Sequence, residues 1–278
     1  MSESFLNVRN LSVTFPTASG TFAAVDDISF TLKRGEILAL VGESGSGKSM
    51  TSLAIMRLLP DAARFHGTIS IDGTAIAGLD RRHMEDVRGA RIGMIFQEPM
   101  TSLNPVLKIG RQMTEGLIRH QRMPRHQARI AAIAALDDVG IPDPKSLLDQ
   151  YPHHLSGGMR QRVMIAAALT LKPGVLIADE PTTALDVTVQ AQVLDLLVDL
   201  KTRHGSGVLL ITHDIGVVAE TADRVAVMRG GRIVETGTVG DILTNPQHDY
   251  TKGLIASHLT VERAMRQRHA EGRRGRTS

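Results

Sequence analysis

The chain has 278 residues, of which 42% are hydrophobic and 22% charged, with a formal net charge of +3 and no cysteine. This balance excludes a disordered or fibrous chain, and the missing thiols exclude disulfides, thiolate metal centres and cysteine nucleophiles. No apolar run approaches the ~18 residues that cross a bilayer, and residues 1–10 lack a basic-then-apolar leader, so a cytosolic chain is expected.

In chain order, Phe5–Phe15 and Ala24–Leu32 alternate apolar and polar positions, as half-buried strands do, and Lys33-Arg34-Gly35 reads as a turn. Glu36–Val41 (EILALV) is a compact apolar run, the pattern of a strand covered on both faces. It enters glycine-rich Gly42–Gly47, and Ser49–Leu59 follows with helical spacing. Gly67–Ile71, with a turn at Asp72-Gly73, returns to a small antiparallel sheet, and Arg91–Gln97 is another buried strand.

From about 98 to 171 strand signals vanish, while Ile109–His120, Gln127–Val139 and a segment from Gly157 read as helices. Gly174–Ala178, Val208–Thr212 and Arg224–Met228 then alternate with helices at Val189–Arg203 and Ile215–Ala222. Arg232–Glu235 closes a hairpin around Gly230-Gly231. Strands alternating with helices require a parallel sheet. The expected fold is therefore α/β: a P-loop NTPase core with an antiparallel β subdomain and an inserted helical subdomain.

Gly42-Glu43-Ser44-Gly45-Ser46-Gly47-Lys48-Ser49 fits the phosphate-loop pattern GxxxxGK[ST], in the strand–loop–helix setting that pattern needs. Glycines let successive N–H groups turn inward, and the following helix offers its positive end to the same anion. Lys48 is then expected on the β- and γ-phosphates of ATP, and the Ser49 hydroxyl on Mg²⁺.

Val175–Ala178 ends in Asp179-Glu180. An acid closing a buried strand complements a phosphate loop: Asp179 is expected to hold Mg²⁺, and Glu180, projecting differently, to activate the attacking water. His213 follows a third buried strand and Gln97 a fourth, so both should reach the same sheet edge. Gln97 fits as a neutral ligand of Mg²⁺ or of the water. Leu155–Gln161 (LSGGMRQ) precedes a helix, with Ser156 as N-cap and Gly157 and Gly158 exposing amides, a second anion-receiving helix end.

Together these motifs resemble the ABC ATPase family over nearly the whole chain. Gly42–Ser49 resembles its Walker A and the adjoining Met50 joins the nucleotide contacts. Gln97 resembles the Q-loop glutamine, LSGGMRQ the signature, Val175–Glu180 Walker B, Ala184-Leu185-Asp186 the D-loop and His213 the switch histidine. The resemblance implies that two cassettes pair head to tail, each ATP lying between Walker A of one and Ser156–Gly158 of the other, with Asp186 beside it. It also implies an aromatic ring on adenine, Phe15 first and Phe22 second.

Gly42-Glu43-Ser44, the stretch Phe96–Pro105 and Asn245–Leu254 resemble the importers of dipeptides, oligopeptides and nickel. Residues 98–105 would meet a coupling helix of a permease. The resemblance implies a non-identical partner ATPase, two integral membrane permease subunits and an extracytoplasmic substrate-binding protein, with this chain peripheral on the cytoplasmic face of the inner membrane. Many peptide importers carry a longer, cysteine-bearing C-terminal segment; this chain departs from them in that respect and looks more like the shorter nickel-type members. The ATPase domain is expected to span 1–258. Residues 259–278 are expected to form a flexible basic tail, with six arginines against two glutamates from Glu262 onward. No nucleic-acid partner is expected.

Overall fold

A computed structural model describes residues 4–98, 102–182 and 185–257. The predicted tail at 259–278, residues 99–101 of the expected permease contact, and Ala184 of the D-loop lie outside them.

Strand β1 (Ser4–Thr17) pairs antiparallel with β2 (Gly20–Lys33), both longer than the sequence pattern predicts. Leu6, Val8, Leu11 and Val13 are buried along β1. The three-residue step from Val8 to Leu11 would invert the pleat. A register shift there, with Asn10 at φ 48°, absorbs the extra residue and returns Leu11 to the core face.

Strand β3 (Ile37–Val41), buried at all five positions, begins a second sheet. Helix α1 (Lys48–Met56) follows the glycine loop. The predicted helix at 49–59 stops short because Arg57 turns left-handed at φ 55°. Its guanidinium Nη1 then donates to the carbonyls of Ile76, Ala77 and Leu79 at 3.1, 2.6 and 2.9 Å. Strands β4 (Arg64–Ile71) and β5 (Thr74–Ala75) return to the first sheet, whose order is β2-β1-β4-β5.

Helix α2 (Arg81–Val87) precedes β6 (Ile92–Ile95). The described residues that follow are helical or irregular: α3 (Ile109–Gln121), α4 (Arg125–Asp138), α5 (Pro144–Leu147), a 3₁₀ turn at Pro152–His154 and α6 (Gly157–Thr170). Ile109, Met113 and Leu117 recur every fourth residue on α3 and are buried, as are Ala128, Ala132 and Leu136 on α4. This spacing puts each trio on one helix face.

The α/β alternation resumes with β7 (Val175–Asp179), α7 (Val187–His204), β8 (Gly207–Thr212), α8 (Ile215–Thr221) and β9 (Arg224–Arg229). It ends with β10 (Arg232–Thr238), α9 (Val239–Thr244) and α10 over 249–257. The second sheet runs β10-β9-β3-β8-β7-β6, parallel from β9 to β6. Parallel neighbours need crossovers, and the crossing helices cover both faces, so β3, β7 and β8 are buried throughout.

Register sets where the chemistry falls. Val41 pairs with Thr212, Asp179 with Ile211 and Ile95 with Ala178, so the carboxyl ends of β3, β8, β7 and β6 are level. The residues that follow them open along one edge.

Candidate functional site

The loop after β3 is shaped by what it presses against. Gly42 sits at φ 154° and a Cβ there would stand 2.1 Å from the Met228 carbonyl oxygen; at Gly47, φ 104°, it would stand 2.4 Å from that of Ala24. No side chain fits either position, so the loop is wedged between the end of β9 and β2. Gly231 N–H donates to the Ser46 carbonyl at 3.0 Å, and Asp26 N–H to the Gly231 carbonyl at 2.8 Å. Gly47 is also the N-cap of α1 and brings no capping side chain, which leaves the first amides of that helix for a ligand.

Lys48 is only 6% exposed. Its Nζ donates to the carbonyls of Gly42 and Glu43 at 2.7 and 2.8 Å and to Ser46 Oγ at 3.3 Å. Burial holds its pKa below the usual lysine value, against the pull of Glu180, Asp179 and Glu43. A buried ammonium resting on neutral carbonyls is a receptor for an anion.

Asp179 ends β7 at 2% exposure. Its two carboxylate oxygens accept from Ser49 Oγ at 3.3 Å and Ser52 Oγ at 3.0 Å. Burial raises its pKa, the two serine hydroxyls hold it down, Glu180 pushes it up and Lys48 opposes. Ser52 was not predicted; it stands one turn along α1 from Lys48 and Ser49, and that i, i+3 spacing was the available signal.

Glu180 takes a left-handed backbone at φ 48°. Its N–H still donates to the Ile211 carbonyl at 2.8 Å, so strand pairing continues while the side chain turns away from that of Asp179. Such a conformation costs a non-glycine residue about 1 kcal/mol or more. The turn places the Glu180 carboxylate between two partners: Gln97 Nε2 donates to one oxygen at 3.2 Å, and His213 Nδ1 lies 3.3 Å from the other. Gln97, Glu180 and His213, read separately from three strand ends, therefore meet.

A cavity of about 400 Å³ runs from Phe15 and Phe22 across Ser44, Gly45, Gly47, Lys48, Ser49 and Met50 to Gln97 and Glu180. Both predicted aromatic candidates line it, side by side as a directly paired couple on β1 and β2. A larger cavity of about 720 Å³, on α3 and α4 beside Arg111, Arg119, Arg125 and Arg129, contains none of the strand-end residues. The smaller one holds the chemistry.

Nine predicted residues do not line that cavity; of these, Gly42, Glu43, Ser46, Asp179 and His213 bond residues that do. Ser156 caps α6, its Oγ accepting from Met159 N–H at 3.3 Å, and Gly157 and Gly158 open the helix with nothing within 4 Å of where a Cβ would be. Asp186 caps α7, one carboxylate oxygen accepting from Val189 N–H at 3.0 Å and the other lying 3.3 Å from Arg162 Nη2. Glu43 points to solvent. Gln161, the last residue of the predicted signature but given no role there, is buried on α6 and its Nε2 donates to the Pro181 carbonyl at 2.7 Å, linking the signature helix to the residue after Glu180.

The oxygen-only set of Asp179, Ser49 and Gln97 suits a hard cation such as Mg²⁺, which binds through one or two carboxylates together with phosphate and water. Among the described residues no cluster of three His, Cys, Asp or Glu could hold a metal unaided.

Among the described residues no helix is long and apolar enough to cross a membrane. The chain is 52% identical to the oligopeptide transport ATP-binding protein OppD of Bacillus subtilis over 92% of its own length and 72% of that protein. It is 53% identical to the dipeptide transport ATP-binding protein DppD of the same organism, over 92% and 77% respectively. Its fold superposes on the ATP-binding cassette MJ0796, solved as a post-hydrolysis dimer with ADP and phosphate, at a TM-score of 0.77 and 29% identity, covering 84% of this chain and 98% of that one. The model of the ABC transporter family matches residues 25–183, which take in the phosphate loop, the signature and the β7 acids, and the chain belongs to that family as one of its ATP-binding cassettes.

Proposed function

We propose that this chain is the ATP-hydrolysing subunit of an importer of dipeptides or oligopeptides. The observation that carries the ATPase reading is the meeting of Lys48, Asp179 and Glu180 at one sheet edge around an open cavity. The two relatives named above are peptide transport proteins, which favours peptide over nickel as the cargo.

Nucleotide arrival exchanges partners. Lys48 leaves the Gly42 and Glu43 carbonyls for the β- and γ-phosphates, and the anion offsets the burial that disfavours its charge. The amides of the loop and of α1 take the remaining phosphate oxygens, and Phe15, with Phe22 beside it, stacks on the base. Asp179, Ser49 and Gln97 would hold Mg²⁺, which would supply charge neutralisation to the phosphates. Glu180 accepts the proton of the attacking water; Gln97 and His213, on its two oxygens, fix the carboxylate's direction.

Ser156, Gly157 and Gly158 cannot serve their own chain's cavity. We assign them, with Asp186, to the nucleotide of a second, non-identical cassette docked head to tail. Two permease subunits, an extracytoplasmic binding protein and a location on the inner face of the membrane complete the assembly.

Glu180→Gln keeps the shape and removes the base. Turnover of the assembled transporter should fall at least ~100-fold while ATP binding persists and a nucleotide-locked dimer accumulates. Phosphate release at the parental rate would remove Glu180 from this role.

A further inference from the structure

The C-terminal stretch Asn245–Leu254 marks a subgroup in the sequence, but the reaction described above makes no use of it. In the structure it reaches the phosphate loop. The Glu43 N–H donates to the Tyr250 hydroxyl at 3.0 Å, across 207 residues of chain. Glu43 does not line the nucleotide cavity; it lines a second cavity of about 580 Å³ among Gly42, Glu43, His213, Arg229, Asp249 and Tyr250, which adjoins the first through the contact of His213 with Glu180. The Tyr250 hydroxyl thus holds the loop at the wall of this second cavity.

Tyr250 is itself held in place. The Arg229 guanidinium lies over its ring, 4.9 Å from the centroid. Its N–H donates to His248 Nδ1 at 3.1 Å, and the two oxygens of Glu235 on β10 accept from the backbone N–H groups of Gln247 and His248 at 2.7 and 3.0 Å. The segment is therefore fastened to the same hairpin whose Gly231 bonds Ser46.

One peptide unit, Gly42–Glu43, is restrained at both ends. Its carbonyl accepts from Lys48 Nζ inside the loop, and its N–H donates to Tyr250 outside. When Lys48 swings to phosphate, the inner restraint goes and the outer one remains. We propose that Tyr250 is a positioning residue for ATP: its hydroxyl keeps the first peptide of the phosphate loop oriented after Lys48 has left it. Nucleotide affinity then depends on a residue that touches no nucleotide, and α10 becomes part of the binding machinery.

The proposal rests on the ATPase reading, and the test separates the two. Tyr250→Phe in the full chain removes only the hydroxyl and leaves the ring beneath Arg229. The dissociation constant of a fluorescent ATP analogue with Mg²⁺ should rise ~3- to 10-fold, while the melting temperature of the nucleotide-free chain falls only by the few degrees that one hydrogen bond is worth. In the assembled transporter KM for ATP should rise while kcat holds. Equal affinity in parent and variant overturns the proposal, and so does a weakening accompanied by a drop in melting temperature well beyond the worth of one hydrogen bond. Failure of the parent chain itself to bind the analogue would instead sink the ATPase reading.

Discussion

Two glycine-rich turns precede two helices in this chain, and they are built on opposite terms. In Gly42–Gly47 the chain's own neighbours forbid a side chain, with the Met228 and Ala24 carbonyls within 2.4 Å of the missing Cβ atoms at Gly42 and Gly47. At Gly157 and Gly158 nothing lies within 4 Å, and the backbone is ordinary helix. Glycine inside a helix costs up to ~1 kcal/mol relative to alanine, so its presence there needs a cause. Among the described residues no close neighbour supplies one. The first loop is explained by its own fold; the second is the one we assign to a nucleotide docking from outside.

Alanine substitution sets the two loops apart. Gly47→Ala should have the largest effect, because the clash is with backbone and the residue sits at φ 104°. Strain and overpacking together predict a loss of about 3 kcal/mol or more, read by denaturant unfolding. Gly157→Ala should leave unfolding unchanged or slightly improve it, yet lower ATP turnover of the assembled transporter ~10- to 100-fold, since a methyl would displace the docking nucleotide. Equal destabilisation at both positions would erase the distinction, and full activity in Gly157→Ala would remove the outside partner from the explanation.

Much of this was legible because it is local. Gly42–Ser49 combines composition, spacing and flanking elements within one short window, and the level strand ends of a parallel sheet bring Gln97, Glu180 and His213 together without further information. Helices α2 and α9 escaped because at seven and six residues they hold too few turns to show a period. They are fixed instead by caps, Asp80 accepting from His83 N–H at 2.8 Å and Thr238 from Asp241 N–H at 3.2 Å. The left-handed backbone of Glu180 has no signature in its residue type. The contact between Glu43 and Tyr250 is set by how β9 and β10 carry the C-terminal segment back across the sheet, which no pattern near either residue encodes.

The smallest effect belongs to Ser52, which sharpens the account of the first loop. Burial disfavours the ionised form of Asp179, and the Ser52 and Ser49 hydroxyls, donating to its oxygens, favour it. A carboxyl raised by burial protonates more readily folded than unfolded, so its contribution favours the fold at low pH and declines as pH rises through the window above the ordinary aspartate value. Ser52→Ala removes a donor to the anion and so raises the Asp179 pKa further. Stability at neutral pH should fall by about 1 kcal/mol, and the deficit should shrink on acidification as Asp179 protonates and the lost bond matters less. Cation binding needs the ionised carboxylate, so the acid limb of the ATPase pH profile should move to higher pH in Ser52→Ala. An acid limb that stays in place would mean that another group controls it, and that Ser52 only fills space beneath the loop.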